Sequence, residues 1–248
     1  MDTKLIIHTI LALLLLVIPA CALYLLEREK LLKFVAATGR MIVQLLVVCL
    51  MVWALIKLNS IWLSLAWLIL AALGSGWLVL RRSGLRMAML PSVAAGLFLG
   101  VALVGFWLLI LVMPVDATDA RWFVPVMALL MGHSSAMLIR GLNTYVSALK
   151  ADVQQYEFLR GNGANHLNAL RPFVRRALLS VMSPTIANLM ALGLGTMPLL
   201  LCGVLIGGMT PINAFALMLY MTIGCVAASV LVLGLTLWLV TPKNVKNI

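Results

Sequence analysis

Acidic side chains are almost missing from this sequence. Only seven of the 248 residues are Asp or Glu, and all of them (Asp2, Glu27, Glu29, Asp116, Asp119, Asp152 and Glu157) lie at chain ends or between apolar runs. An ionisable group inside a membrane span is costly enough to be functional by default. A chain with no carboxylate there offers neither an Asp/Glu proton relay nor an acid/base catalytic pair. Cysteine is scarce as well: Cys21, Cys49, Cys202 and Cys225 stand singly within apolar runs, without the short spacing of a metal knuckle or redox pair. They read as small lipid- or helix-facing residues. A G-x-x-x-x-G-K-[ST] phosphate loop is also lacking, and Gly161-Asn162-Gly163 has no Lys to reach a nucleotide phosphate. No cofactor is expected on this chain, and no enzymatic activity of its own.

What is present is oil. Hydrophobic residues make up 64% of the chain and charged ones 10%, with a mean hydropathy of +1.14, far outside the range of soluble domains. Apolar runs long enough to cross a hydrocarbon core of roughly 30 Å recur at about 5–26, 34–56, 61–80, 90–113, 122–142, 185–206 and 212–240. Seven spans are expected. They should be helical, because an outer-membrane barrel would show ten-residue segments of alternating polarity instead. The fold class is therefore all-α: a polytopic helical bundle forming a single transmembrane domain over 1–248.

The net charge of +11 is not a nucleic-acid signature, since the basic residues fall in alternate connections. Arg28, Lys30, Lys33, Arg40, Arg81, Arg82, Arg86, Arg140, Lys150, Arg160, Arg171, Arg175, Arg176, Lys243 and Lys246 collect on one side; Lys4, Lys57 and Arg121 lie on the other. The positive-inside rule then puts the amino terminus outside and the carboxyl terminus in the cytoplasm. Residues 5–18 followed by Ala20-Cys21-Ala22 imitate a secretory signal, but the apolar stretch continues through Leu26 and its basic flank follows it. It is read as a span.

Few polar residues enter the spans. Arg40 and Gln44 are four apart and share a helical face, where they line a pathway or, in Arg40's case, snorkel to the cytoplasmic surface. His133, Ser134 and Ser135 suggest a hydrolase only at first sight, because adjacent helical residues point about 100° apart; contacts between helices suit them better. His133 has no neighbour at metal-ligand spacing. The fifteen methionines read as gap fillers. The sixth run is irregular: SPTIANLMALGLGTMPLLLCGVLIGGMTP carries Pro184, Pro198 and Pro211 with Gly193, Gly195, Gly203, Gly207 and Gly208. A kinked or broken helix is expected there, with gating or substrate contact at Gly193–Pro198, or simply a packing kink.

The longest polar interruption, at about 143–176, is cytoplasmic. Apolar residues continue past the fifth span at Leu142, Tyr145, Leu149, Val153 and Tyr156, so that helix should project beyond the bilayer until Gly161-Asn162-Gly163 stops it. Residues 164–171 can then form a separate short helix with Ala164, Leu167 and Leu170 on one side, and Pro172 can start the returning helix. The apolar side has nothing in its own loop to bury against, which points to a soluble partner. The plainer alternative is a basic loop held at the anionic lipid surface.

Several elements carry a resemblance along nearly the whole chain: Gly39-Arg40 with Gln44-Leu45; Pro125 and Gly132 with Asn143; Glu157 leading to Gly163-Ala164; Arg175 with Pro184; and Leu194 to Gly203 leading into Gly208-Met209-Thr210-Pro211. In their order and spacing the sequence resembles ABC transporter permeases of the FetB type, an iron-export family with plant relatives linked to aluminium tolerance. The resemblance implies a permease subunit of a bacterial inner membrane, paired with a second copy and driven by a separate cytoplasmic ABC ATPase that binds the ATP and Mg. It implies coupling at Glu157, Gly163 and Ala164, beside the apolar Leu167 and Leu170. Arg40, Gln44, His133, Asn143 and Asn188 are the pathway candidates. Where iron-export members carry an Asp and a Lys after the proline matching Pro184, this chain has Ala187 and Met190, and a further acidic place is Thr210. The departures leave the permease class intact and leave the cargo open between a metal ion and a small solute, with no metal ligand assigned. The competing readings are a non-transporting membrane protein that recruits a cytosolic partner, and an intramembrane hydrolase using Ser134 or Ser135 with His133.

Overall fold

A computed structural model describes residues 14–26, 28–113, 119–191 and 197–244, and the regular structure of the described residues is entirely helical. The chain groups into two compact units, Met1–Lys57 and Leu58–Ile248. The first holds α1 (Val17–Leu26) and nearly all of α2 (Arg28–Leu58).

The second unit holds α3 (Ile61–Ser83), α4 (Leu90–Trp107), α5 (Ala120–Ala151), α6 (Val153–Gly161), α7 (His166–Met190), α8 (Met197–Ile206) and α9 (Pro211–Asn244). A 3-10 turn at Met87–Met89 leads into α4, and a π-helical stretch at Leu108–Val112 continues it. The hub is α5, which packs against α3, α4, α7 and α9; α4 also lies along α3 and α9, and α8 packs on α9. The buried centre comes from one stripe of each helix: Leu68 and Val79 of α3, Val93 and Leu97 of α4, Met127 and Leu138 of α5, Phe173 of α7 and Leu233 of α9.

Two features set how close these helices come. On α4, Gly96 and Gly100 sit four apart against α9. A Cβ at Gly96 would lie 3.0 Å from the Cα of Thr236, and one at Gly100 would lie 3.1 Å from the Cα of Val232. Small residues at this spacing let backbones approach where lipid gives no hydrophobic drive between helices. At the start of α5, Asn59 adopts a left-handed backbone (φ 36°), and its Oδ1 accepts the Ala120 N–H at 3.0 Å. Together with Asp119, whose carboxylate accepts from Arg121 N–H at 3.0 Å, it satisfies donors that the start of α5 would otherwise leave open.

Five helices of the described residues are long and apolar enough to cross a membrane: Lys30–Leu58, Ile61–Ser83, Met87–Val112, Ala120–Ala151 and Pro211–Val240. This differs from the expected seven at two places. The first run is described only from residue 14, and α1 is ten residues long. The sixth run is not one helix: α7 ends at Met190 and α8 starts at Met197. At about 1.5 Å per residue the ten residues of α8 reach only about 15 Å, half a hydrocarbon core.

Candidate functional site

The polar insert at about 143–176 starts from the length of α5. Its 32 residues extend about 48 Å, which exceeds a hydrocarbon core of roughly 30 Å by about 18 Å, a little over three turns. The helix path then breaks at Asp152, whose backbone (φ −117°, ψ 41°) is not helical, and resumes as α6. Asp152 is held by an ion pair with Arg176 of α7, tying the break to the returning helix.

The end of α6 is a Schellman turn. Gly163 takes φ 84°; its N–H bonds to the Arg160 carbonyl and the Ala164 N–H to the Leu159 carbonyl, both at 3.1 Å. This double closure needs a left-handed residue at the position Gly163 occupies, and Gly is the residue that takes it without cost. Arg160 also donates to the Ala164 carbonyl at 3.2 Å, and the Tyr156 hydroxyl lies 3.0 Å from His166 Nδ1 with the two rings edge to face. The turn is thereby fastened to the start of α7.

From His166 the chain is one helix to Met190, which corrects the expectation of a separate short helix over 164–171 and of Pro172 starting the return. Pro172 lies inside α7; the carbonyl its ring leaves without a donor belongs to Asn168, which is exposed, so water can take the place of the lost bond. Pro184 is also inside α7, and the helix runs through it, so no break occurs there. Gly193 and Gly195 lie outside the described residues. Pro198 falls in the first turn of α8, where a missing N–H breaks no intrahelical bond.

The predicted coupling residues separate by exposure. Glu157 and Gly163 are exposed and Ala164 is half-buried. Leu167 is 60% exposed, whereas Leu170 is at 0% and belongs to the core. Phe158, not singled out from sequence, is 69% exposed. An aromatic ring one residue from Glu157 in a short polar helix was the available signal. The projecting apolar pair is therefore Phe158 and Leu167, and between 143 and 176 five basic residues face two acidic ones. No nucleophile and base converge here; what the arrangement can do is receive another protein's surface.

The pathway candidates are not gathered by the second unit. His133 is half-buried on α5 near the Cys225 backbone of α9, and its Nδ1 has no hydrogen-bond partner. Asn143 and Asn188 are exposed, on α5 and α7. Arg40 and Gln44 are exposed on α2, in the first unit. The hydrolase pairing is absent: the Ser135 hydroxyl donates to the Gly132 carbonyl at 2.9 Å, and the buried Ser134 hydroxyl has no partner. Among the described residues no three His, Cys, Asp or Glu side chains gather to hold a metal ion.

Comparison with known families gives one match, to an uncharacterised protein family, UPF0014, over residues 6–244. No curated protein and no solved structure matches the chain.

Proposed function

The chain belongs to the uncharacterised protein family UPF0014, and from that premise we propose that it is the permease subunit of an ABC transporter in a bacterial inner membrane. Two copies enclose the pathway and export a metal ion such as iron, or a small solute. A separate cytoplasmic ATPase docks on the insert and drives the change. Family membership of the ABC-permease-like kind supports the class.

The observation that carries the reading is the pair Phe158 and Leu167, exposed on the two helices that flank the fastened turn of the basic insert. Exposed apolar side chains rimmed by polar residues mark an interaction site, and the Schellman turn and the Asp152–Arg176 pair hold this one in a fixed geometry for a protein partner. Energy enters as differential affinity of the ATPase for two permease states; a partner binding both equally would drive nothing.

The test replaces Phe158 and Leu167 together by Asp. Each buried apolar side chain is worth about 1.5–3 kcal/mol, so ATPase retention on membranes should fall by about 100-fold or more while helix content stays unchanged. Leu170 is unsuited to this test, since truncating a buried Leu costs about 2–5 kcal/mol of stability by itself. Unchanged co-purification with normal ATP turnover would refute the assignment, and docking without cargo-stimulated turnover would favour a recruiting protein that moves nothing.

A further inference from the structure

The α5 helix leaves a different kind of surface exposed from the other spans of its unit. Ile69 and Leu73 on α3, Leu103 on α4 and Ile223 on α9 are exposed, and apolar side chains of that size are what lipid tails accept. No Leu, Ile, Val, Met, Phe or Trp of α5 is exposed. Between residues 121 and 150 its exposed positions recur every three or four residues, which draws one line down the helix. Pro125, Ala128, Gly132 and Ala136 stand on this line within the apolar part of the span, followed by Arg140 and Asn143. A Cβ at Gly132 would meet nothing within 4 Å, so the line borders open space.

The charge along it has one sign. Arg140 lies about 30 Å along the helix from Ala120, where the thickness of a hydrocarbon core ends. Its side chain is exposed and makes no ion pair among the described residues. No Asp or Glu stands on α5, nor on α3, α4, α7 or α9, the helices packed against it. The charged residues those neighbours carry are cations: Arg81 and Arg82 on α3, Arg171, Arg175 and Arg176 on α7, and Lys243 on α9. The carboxylates at the two ends of α5 are engaged, Asp119 by the Arg121 N–H and Asp152 by Arg176.

We propose that this line of α5 is a wall of the cargo path and that the path takes a small anionic solute. The proposal rests on the permease reading and narrows its cargo from a metal ion or small solute to an anion. Polar groups of a spanning helix turn to the bundle interior or to a water-filled cavity, and paths for anions are lined by Arg and Lys where paths for cations use Asp and Glu. The small residues beside Arg140 leave the width that a solute needs. Closure of the line on itself is opposed by the same charge: two symmetric copies in one membrane run parallel, so their Arg140 side chains would be brought together.

Thiol labelling of the full chain in membrane vesicles tests this without the ATPase. With Cys21, Cys49, Cys202 and Cys225 replaced by Ala, single cysteines are placed at Gly132 or Ala136 on the line and at the exposed apolar positions Leu103 or Ile223. Gly132→Cys and Ala136→Cys should react with water-soluble methanethiosulfonates about tenfold faster or more than Leu103→Cys and Ile223→Cys, because the thiolate that reacts forms in water. Relative to a free thiol, the anionic sulfonatoethyl reagent should be favoured over the cationic trimethylammonioethyl one at Ala136→Cys. Adding Arg140→Gln should cut that preference by about threefold or more, the effect of a unit charge about 6 Å away in salt-screened water. Labelling of the line no faster than of the apolar faces, spontaneous disulfide-linked dimers of Ala136→Cys, or a charge preference indifferent to Arg140→Gln would overturn the proposal. If any of these occurs while replacement of Phe158 and Leu167 still releases the ATPase, the permease reading stands and this assignment alone falls.

Discussion

Replacing Gly100 by Ala tests whether the approach of α4 to α9 holds the second unit together. The new Cβ would sit 2.5 Å from Val232 Cγ2 and 3.1 Å from the Val232 Cα and N. The first clash can be relieved by a side chain, but the second involves backbone, so the helices must separate by a few tenths of an ångström. Overpacking of this kind costs about 1–3 kcal/mol, offset by up to about 1 kcal/mol because Ala favours a helix over Gly. The net expectation is a loss of about 1–2 kcal/mol, read as reversible unfolding in mixed micelles. Gly132→Ala is the matched control: it is exposed on α5 with nothing within 4 Å of its Cβ, so only the propensity gain remains. Adding Val232→Ala to Gly100→Ala removes the Cγ2 clash, and the pair should be non-additive by about 0.5–3 kcal/mol. If Gly100→Ala proves as stable as Gly132→Ala, close backbone packing is not what fixes this seam.

Two further substitutions probe the turns that position the ends of α5 and the insert. Gly163→Ala forces a side chain into φ 84°, costing about 1–2 kcal/mol, and should raise proteolysis near 161–165; Gly161→Ala, with an open surround and no left-handed backbone, should not. Asn59→Ala loses the bond to the Ala120 N–H and keeps an unfavourable φ, so its melting temperature should fall further than that of Asn59→Gly, which gives up only the cap at about 0.5–2 kcal/mol.

Some of this was legible in the sequence because it depends on one residue at a time. The all-helical class follows from run length. Gly163 announces itself as a helix stop by being glycine after Asn162, and the Schellman bonds at Arg160 and Leu159 confirm the local reason. Pro172 misled for the opposite reason. A proline is compatible with a helix start, yet it is tolerated inside α7, where Asn168, the residue whose carbonyl loses its donor, is exposed, and exposure is decided by packing several residues away.

The limit shows most clearly in Leu167 and Leu170. They are three apart, both Leu and equal in propensity, so periodicity places them on one apolar side. Three positions correspond to about 300° of helix rotation, leaving about 60° between them. That gap is enough for the α5 and α7 contact to cover Leu170 fully and leave Leu167 60% exposed. No reading of the insert alone could divide the pair, because the dividing surface belongs to α5. The same logic applies at the α4–α9 seam: Gly96-Leu-Phe-Leu-Gly100 is a visible small-residue pattern, but that Thr236 and Val232 receive it is a fact about a helix more than a hundred residues away. The exposed apolar surface of the insert is thus what remains after the bundle has taken its share of each amphipathic helix, and Phe158 with Leu167 is that remainder.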